Sequence, residues 1–99
     1  MGVNIAEEML IRANKDVVFC ELSGELALLD LRSNTYYGLN KVGARVWEII
    51  QEPCSFAQLC EAIVEQYDVD PARCHADVET LVRQLAVAKL VGLGDEGAA

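Results

Sequence analysis

Hydrophobic and polar positions change their period once along the chain, near Asn40. Upstream, three short runs rich in β-branched, aromatic and leucine residues predict strands over 16–22, 25–31 and 35–39. The middle run, ELALLDL, has apolar residues at both odd and even positions, and therefore on both faces of a strand. This pattern predicts a central strand covered on both faces. Short turns separate the runs, so they predict a three-stranded antiparallel meander.

Downstream, apolar residues recur at helical spacing, and each predicted helix has its own start signal. Asn40 is a good N-cap for a first helix, which Pro53 ends. The segment 55–58, SFAQ, has the pattern of a capping box and opens a second helix. Asp70 followed by Pro71 opens a third and longest helix. Three helices therefore follow the sheet.

The element order β-β-β-α-α-α predicts an α+β fold, with a three-stranded antiparallel sheet followed by three helices. The last two helices have helix-turn-helix proportions, which indicates a winged-helix-turn-helix-like domain. The chain has 99 residues, enough for one core. We expect a flexible N-terminal arm over 1–15, the folded domain over 16–93 and a disordered tail over 94–99.

The charge disfavours two classes of partner. Eight Lys and Arg against sixteen Asp and Glu give a net charge of −8. A nucleic-acid binder needs basic surface to neutralise phosphates, and an anionic membrane surface would also repel this chain. No apolar stretch is long enough to span a bilayer and no secretory signal is present, so we expect a cytoplasmic protein.

Catalytic and metal-binding patterns are weak. The four cysteines have no C-x-x-C spacing, which favours ordinary reduced thiols. Cys74 stands beside the only histidine, His75, but adjacent residues on a helix point about 100° apart. We therefore expect no enzyme, no metal and no cofactor.

The third predicted strand, TYYGL, is the most suggestive segment. If it ends the meander, its outer backbone groups lack a partner, and it carries neither the charge nor the proline that usually protects an edge. Either the N-terminal arm or a helix covers this edge, or a guest peptide adds to it as a strand. Tyr36 and Tyr37 alternate across the strand, so one should face the core and the other the opposite face.

The segment LLDLRSNTYYGLN, the helix KVGARVWEII after it and the final helix pair resemble PqqD-like proteins. The resemblance covers residues 16–93 and is strongest in L-D-L-x-x-x-x-Y-Y-x-L-N. Members of this family serve in pyrroloquinoline quinone biosynthesis, and the same domain is the precursor-peptide recognition element of ribosomal peptide pathways, including lasso peptides. The resemblance implies a leader peptide bound as an added strand between strand three and helix three.

The resemblance also implies which residues of this chain form the peptide site. Backbone contacts would come from Thr35, Tyr36, Tyr37, Gly38 and Leu39. The facing wall would be the exposed side of the last helix, with Arg73 at its start, followed by Cys74, Asp77, Leu81 and Gln84. The spacing 74, 77, 81, 84 places these four on one helical face, although an ordinary solvated face has the same pattern.

The sequence thus predicts a non-catalytic peptide chaperone. It would bind the leader of a ribosomal precursor peptide and present it to a radical-SAM enzyme, another modifying enzyme or a leader peptidase. Two alternatives stay open: a winged-helix DNA-binding regulator, and a protein–protein adaptor without a peptide ligand. A homodimer formed by exchange of strands at the open edge also stays open.

Overall fold

A computed structural model describes residues 5–94, which form six strands and three helices. In chain order these are β1 (Leu10–Ala13), β2 (Val17–Leu22), β3 (Glu25–Asp30), β4 (Thr35–Leu39), α1 (Lys41–Ile49), β5 (Cys54–Ser55), α2 (Phe56–Tyr67), α3 (Pro71–Val87) and β6 (Val91–Leu93). The strands make two small antiparallel sheets, ordered β2-β3-β4 and β5-β1-β6. The predicted α+β class is confirmed.

The sheet β2-β3-β4 is the predicted meander, and its register sorts the side chains onto two faces. Leu26 pairs with Leu39, and Leu28 pairs with Tyr37. Residues directly opposite in an antiparallel sheet share a face, so both pairs lie on the inner face of the sheet. Leu26, Leu28 and Leu39 are buried there. Leu29, on the other parity of β3, is only half-buried. The expectation that β3 is covered on both faces is therefore wrong.

The predicted helix starts are confirmed by their cap geometry. The Asn40 side chain accepts a hydrogen bond from the backbone N–H of Gly43 at 2.9 Å. Ser55 and Gln58 make both bonds of a capping box, at 3.1 and 3.0 Å. The Asp70 side chain caps α3, whose first residue is proline. Each cap satisfies a backbone donor that the first turn of a helix leaves unpaired.

The second sheet was not predicted, and it corrects the expectation of a flexible N-terminal arm. Strand β1 pairs with both β5 and β6, and Ile11 is completely buried. The backbone N–H of Ala13 donates to the carbonyl of Ile50 at 2.9 Å, and that of Gly94 donates to Leu10 at 2.8 Å. The flexible arm over 1–15 is thus wrong from β1 onward, while residues 1–4 lie outside the described range.

Strands of two to four residues are too short to show a period, which explains why the sequence did not reveal this sheet. Strand β6 pairs with β1 and so belongs to the folded domain, whose C-terminal boundary at 93 is close to the end of that strand. Most of the predicted tail, residues 95–99, lies outside the described residues.

The hydrophobic core lies between the inner face of the larger sheet and the three helices, and it extends to β1. Its largest fully buried side chains are Trp47, Phe56, Ile11, Leu28, Ile50, Leu59, Ile63 and Leu90. Over the described range 5–94, no helix is long and apolar enough to cross a membrane.

Candidate functional site

Strand β4 is an edge strand. In the order β2-β3-β4, its one partner within residues 5–94 is β3, so the backbone groups on its other side have no strand to pair with. Residues 5–15 of the N-terminal segment do not cover this edge, because β1 pairs with β5 and β6 instead. Over the described range, the structure therefore has the open edge that the sequence predicted, and residues 5–15 do not provide the cover considered as an alternative.

One end of β4 is held beside the C-terminal end of α3. Arg32, in the turn that leads into β4, donates from Nη2 to the carbonyl of Lys89 at 2.7 Å. The same guanidinium binds both carboxylate oxygens of Asp30, at 2.9 and 3.0 Å. A bidentate pair of this kind fixes the arginine in one orientation. The turn between β3 and β4 is thus pinned to the end of the helix.

The other end of β4 leads to the N-terminal half of α3. Val42, in the first turn of α1, lines a small pocket together with Arg73, Asp77 and Val78 of α3. The segment before β4 is therefore joined to the C-terminal end of α3 through Arg32, and the segment after β4 shares a pocket with the N-terminal half of α3 through Val42.

Asp30 supplies the main electrostatic feature near this end of the strand. Its side chain is almost fully buried, at 5% exposed, and lies against the Arg32 guanidinium. The hydrogen bond from Arg32 lowers the pKa of Asp30 from 3.8 to about 2, although burial opposes the shift. The same contact raises the pKa of Arg32. The pair therefore stays charged at neutral pH and serves as a structural clamp.

The two tyrosines of β4 point in opposite directions, and the structure decides which faces the core. Tyr37 is half-buried and packs against the core cluster. Tyr36 is 72% exposed on the opposite face of the sheet. Leu39, on the same parity as Tyr37, is buried. Their side chains leave the outer edge of the backbone itself unobstructed.

Most of the α3 residues that the resemblance implied lie on one flank of that helix. Arg73 and Asp77 line the pocket and form a long ion pair of 3.9 Å, and both are exposed. Leu81 is half-buried against the core, and Gln84 is exposed further along. Helical spacing places Leu81 and Gln84 on the same flank of α3 as Arg73 and Asp77, the two that line the pocket with Val42. Val42, three residues after the end of β4, shares the pocket with the N-terminal part of this flank.

Cys74 needs a correction, because its side chain is not on the exposed wall. It is 4% exposed, and its Sγ lies 4.0 Å from the carbonyl oxygen of Cys60. Burial raises the pKa of Cys74, so this thiol stays protonated at neutral pH. Position 74 begins the stripe that continues at Val78, and this stripe faces the core. Cys74 still contributes to the pocket from below.

Several residues that line the pocket were not predicted from the sequence. Val42, in the first turn of α1, is 37% exposed and lines the pocket. Tyr67 and Val69, around the connection between α2 and α3, complete the lining. Val69 is an apolar residue between two helix-end aspartates, and that unusual position was the available signal.

The pocket has a volume of about 120 Å³ and is mostly apolar. Cavities of about 150 Å³ hold a benzene-sized group, so a leucine or isoleucine side chain is of the right size. Within residues 5–94 no group of three metal-ligating side chains comes together. The site thus combines the backbone hydrogen-bonding groups of the β4 edge with one apolar pocket. Such a combination can bind a peptide in extended form.

The fold and this site define a class of protein, namely a small α+β domain with an unpaired sheet edge beside a helix. The family model "Coenzyme PQQ synthesis protein D (PqqD)" matches residues 25–91, and the chain belongs to the PqqD family. No curated protein matches the chain.

Two solved structures have the same fold. The first, "TbiB1 in Complex with the TbiA(beta) Leader Peptide", is 31% identical with a TM-score of 0.74, covering 81% of this chain and 93% of that one. The second, "Lasso peptide synthetase B1 complexed with the leader peptide", is 23% identical with a TM-score of 0.72, covering 88% of this chain and 99% of that one. Both of those proteins bind a leader peptide.

Proposed function

We propose that this protein binds the leader segment of a ribosomal precursor peptide by strand addition to β4. The observation that carries the proposal is the open edge of β4, whose flanking residues Arg32 and Val42 lie against the end of α3 and beside an apolar pocket, respectively. Membership of the PqqD family and the leader-bound state of the two similar structures support it. Main-chain hydrogen bonds would supply affinity, and the pocket would supply selectivity.

The proposed contacts divide between backbone and side chains. Residues 35–39 offer backbone groups, since the side chains of this strand point to the two faces of the sheet. Arg73, Asp77, Leu81 and Gln84 form the wall opposite, and Cys74 lies beneath it. An aliphatic side chain of the leader would enter the pocket lined by Val42. The Arg73–Asp77 ion pair at the mouth of the pocket would contact the polar backbone of the leader on either side of that aliphatic side chain.

The protein would act without catalysis, holding the leader while a separate enzyme modifies or cleaves the remainder of the precursor. Strand addition leaves the two ends of the guest peptide free, because the contacts involve a short central segment. A radical-SAM enzyme or a leader peptidase is the kind of partner proposed, with no cofactor in this chain. Affinity near the micromolar range, about −8 kcal/mol, would suit capture followed by release.

An NMR titration with the leader of the precursor peptide encoded beside the gene tests this function. We expect amide shifts concentrated on residues 35–39 and on the flank from Arg73 to Gln84. The amides of β4 should also exchange more slowly with solvent once the guest strand is bound. A cognate leader that leaves both regions unmoved at about 100 μM, well above the proposed affinity, overturns the proposal.

Substitutions in the pocket give a second test. Val69→Asp places a charge in an apolar site, so leader affinity should fall by about tenfold or more. Val87→Asp is the matched control, because Val87 is 65% exposed and does not line that pocket. Isothermal titration calorimetry measures both. Equal affinities for the two variants would show that the pocket takes no part in binding.

A further inference from the structure

Strand β2 is the other edge of the larger sheet, because its one strand partner within residues 5–94 is β3. Five of its six residues are exposed, and three of these are large apolar side chains: Val18, Phe19 and Leu22, at 45%, 48% and 59% exposed. An exposed apolar edge is a template for pairing with another chain, and proteins usually protect such an edge with lysine or proline. Strand β2 has neither, which indicates that its edge has a partner.

The register with β3 shows which backbone groups of β2 point outward. Ser23 and Gly24 both have positive φ, at 56° and 85°, as in a two-residue turn of type I′. A hydrogen bond joins the residues on either side of such a turn. Hydrogen-bonded and non-hydrogen-bonded pairs then alternate, so Phe19 and Glu21 direct their N–H and C=O groups away from β3. The N–H of Val17, two residues before Phe19, also donates outside this sheet, at 3.2 Å, which agrees with the assignment.

Two copies of β2 can satisfy these outward groups in each other. An antiparallel arrangement centred on Cys20 places Phe19 of each copy opposite Glu21 of the other, and each of these pairs exchanges both of its main-chain hydrogen bonds. This centre uses the outward groups of both residues and leaves Val17 in its existing bond. The two-fold axis is perpendicular to the sheet, so the sheets of the two copies become continuous, with their helices on the same side.

The same register matches the side chains on the face of the larger sheet that points away from the core, which we call the outer sheet face. In β2 this face carries Val18, Cys20 and Leu22. Val18 of each copy would lie opposite Leu22 of the other, on both sides of a central pair of Cys20 residues. All three side chains are exposed in the single chain, so the pairing removes apolar surface from water.

The inner side of β2 has room for the second copy. Phe19 points to this side, and its ring packs edge-on against Trp47 with 6.3 Å between the centroids, yet 48% of Phe19 is exposed. The groove beside it also contains Lys41, which makes no ion pair within residues 5–94. Each copy would bring one Glu21 and one such Lys41 to the junction, so the two glutamates are matched by two lysines.

We propose that two copies of this chain pair antiparallel through β2, centred on Cys20, and form one continuous sheet. The β4 edges then lie at the two ends of that sheet, so both stay open and the dimer can hold two peptide strands. The contact is a strip about 20 Å long, smaller than the standard interface of about 800 Å² per partner. Each copy also carries a net charge of −8. The association should therefore be weak, with a dissociation constant of about 10–500 μM.

Sedimentation equilibrium at protein concentrations up to about 1 mM tests the pairing, in about 0.15 M salt so that the net charges are screened beyond about 8 Å. Wild type should show a monomer–dimer equilibrium. Cys20→Asp would place two carboxylates directly opposite each other, so the dissociation constant should rise by about tenfold or more. Cys20→Ser is the matched control and should stay within about threefold of wild type, because it adds no charge.

The thiol of Cys20 reports the register. Opposite residues of a non-hydrogen-bonded pair have Cα atoms about 4.5 Å apart, within the range of about 4.4–6.8 Å that a disulfide spans. With diamide as the oxidant, two Cys20 thiols should lose two protons and two electrons to the diazene, which becomes a hydrazine, and form one disulfide between copies. Cys20→Ser should stay single on a non-reducing gel. Cys20→Ser/Val87→Cys, whose new thiol is exposed on α3, should cross-link far less at the same concentration.

Three results would overturn the proposal. Wild-type protein that stays monomeric up to about 1 mM has no such association. A dimer that Cys20→Asp leaves intact uses another surface. A leader peptide that shifts the amides of residues 17–22 instead of 35–39 would assign the β2 edge to the guest peptide. The first two results leave leader binding at β4 untouched, and the titration described above tests that function separately.

Discussion

At the residue scale, the Asp30–Arg32 pair connects the sheet to α3. Asp30 is nearly buried, and Arg32 reaches from it to the carbonyl of Lys89. The carboxylate keeps its charge because two hydrogen bonds from the guanidinium compensate for the loss of water. Removing either partner would release the turn that leads into β4.

The pair predicts a defined pH dependence of stability. The pKa of Asp30 is about 2 in the folded protein against an ordinary value of 3.8, so the folded state binds this proton less tightly than the unfolded state. The stabilisation is full above about pH 4 and is lost as the pH falls towards 2. Asp30→Asn should therefore be less stable than wild type at pH 7, and the difference should shrink between pH 4 and pH 2.

Urea unfolding, followed by the fluorescence of the single, fully buried Trp47, measures this difference. Glu61→Gln is the control, because this exposed carboxylate on α2 should change the midpoint little. A difference between Asp30→Asn and wild type that stays constant over the same pH range would contradict the assignment.

At the scale of elements, the short strand β1 joins the domain together. It lies between β5, which precedes α2, and β6, which follows α3. The segment before α2 and the segment after α3 are thus brought together by residues that the sequence placed in a loose arm. A hydrogen bond from the backbone N–H of Asn14 to the carbonyl of Leu90, at 2.9 Å, strengthens this connection.

Ile11→Ala tests the contribution of β1. Ile11 is fully buried, so its truncation should cost about 2–5 kcal/mol of unfolding free energy through lost burial and a cavity. Urea unfolding measures the cost, with the exposed Lys15→Ala as the control, which should change stability by less than about 0.5 kcal/mol. A similarly small effect for Ile11→Ala would mean that β1 is not part of the cooperative core.

At the scale of the whole molecule, charge separates peptide capture from the DNA-binding alternative. The cations of α3 are mostly neutralised on the helix itself: Arg83 pairs with Glu79 at 2.6 Å, and Arg73 lies near Asp77. The chain as a whole is acidic, with a sequence pI near 4.4. A recognition helix of this kind would gain little from counterion release.

We therefore expect no binding to duplex DNA at physiological salt. Fluorescence anisotropy with a labelled duplex should stay flat up to about 100 μM protein, because non-specific binders with basic surfaces already bind below that range. The same preparation should bind its leader peptide, which controls for folding. Tight and salt-dependent binding to the duplex would instead favour the regulator.

The sequence by itself determined the local features. Strands β2 to β4, the caps at Asn40, Ser55 and Asp70, and the open edge of TYYGL follow from short-range rules of alternation and capping. The flank of α3 could be predicted from helical spacing for the same reason, although the resemblance was needed to connect it with a peptide.

Only the tertiary structure decided the features that depend on distant partners. Ile11 is buried because β1 finds strands more than forty residues away, and no local pattern encodes that pairing. Tyr37 rather than Tyr36 faces the core because the register with β3 fixes the parity. Cys74 is buried, and the outer sheet face is open, because packing selects one side of each element. The sequence sets what each segment can form; long-range packing sets which side of it meets solvent.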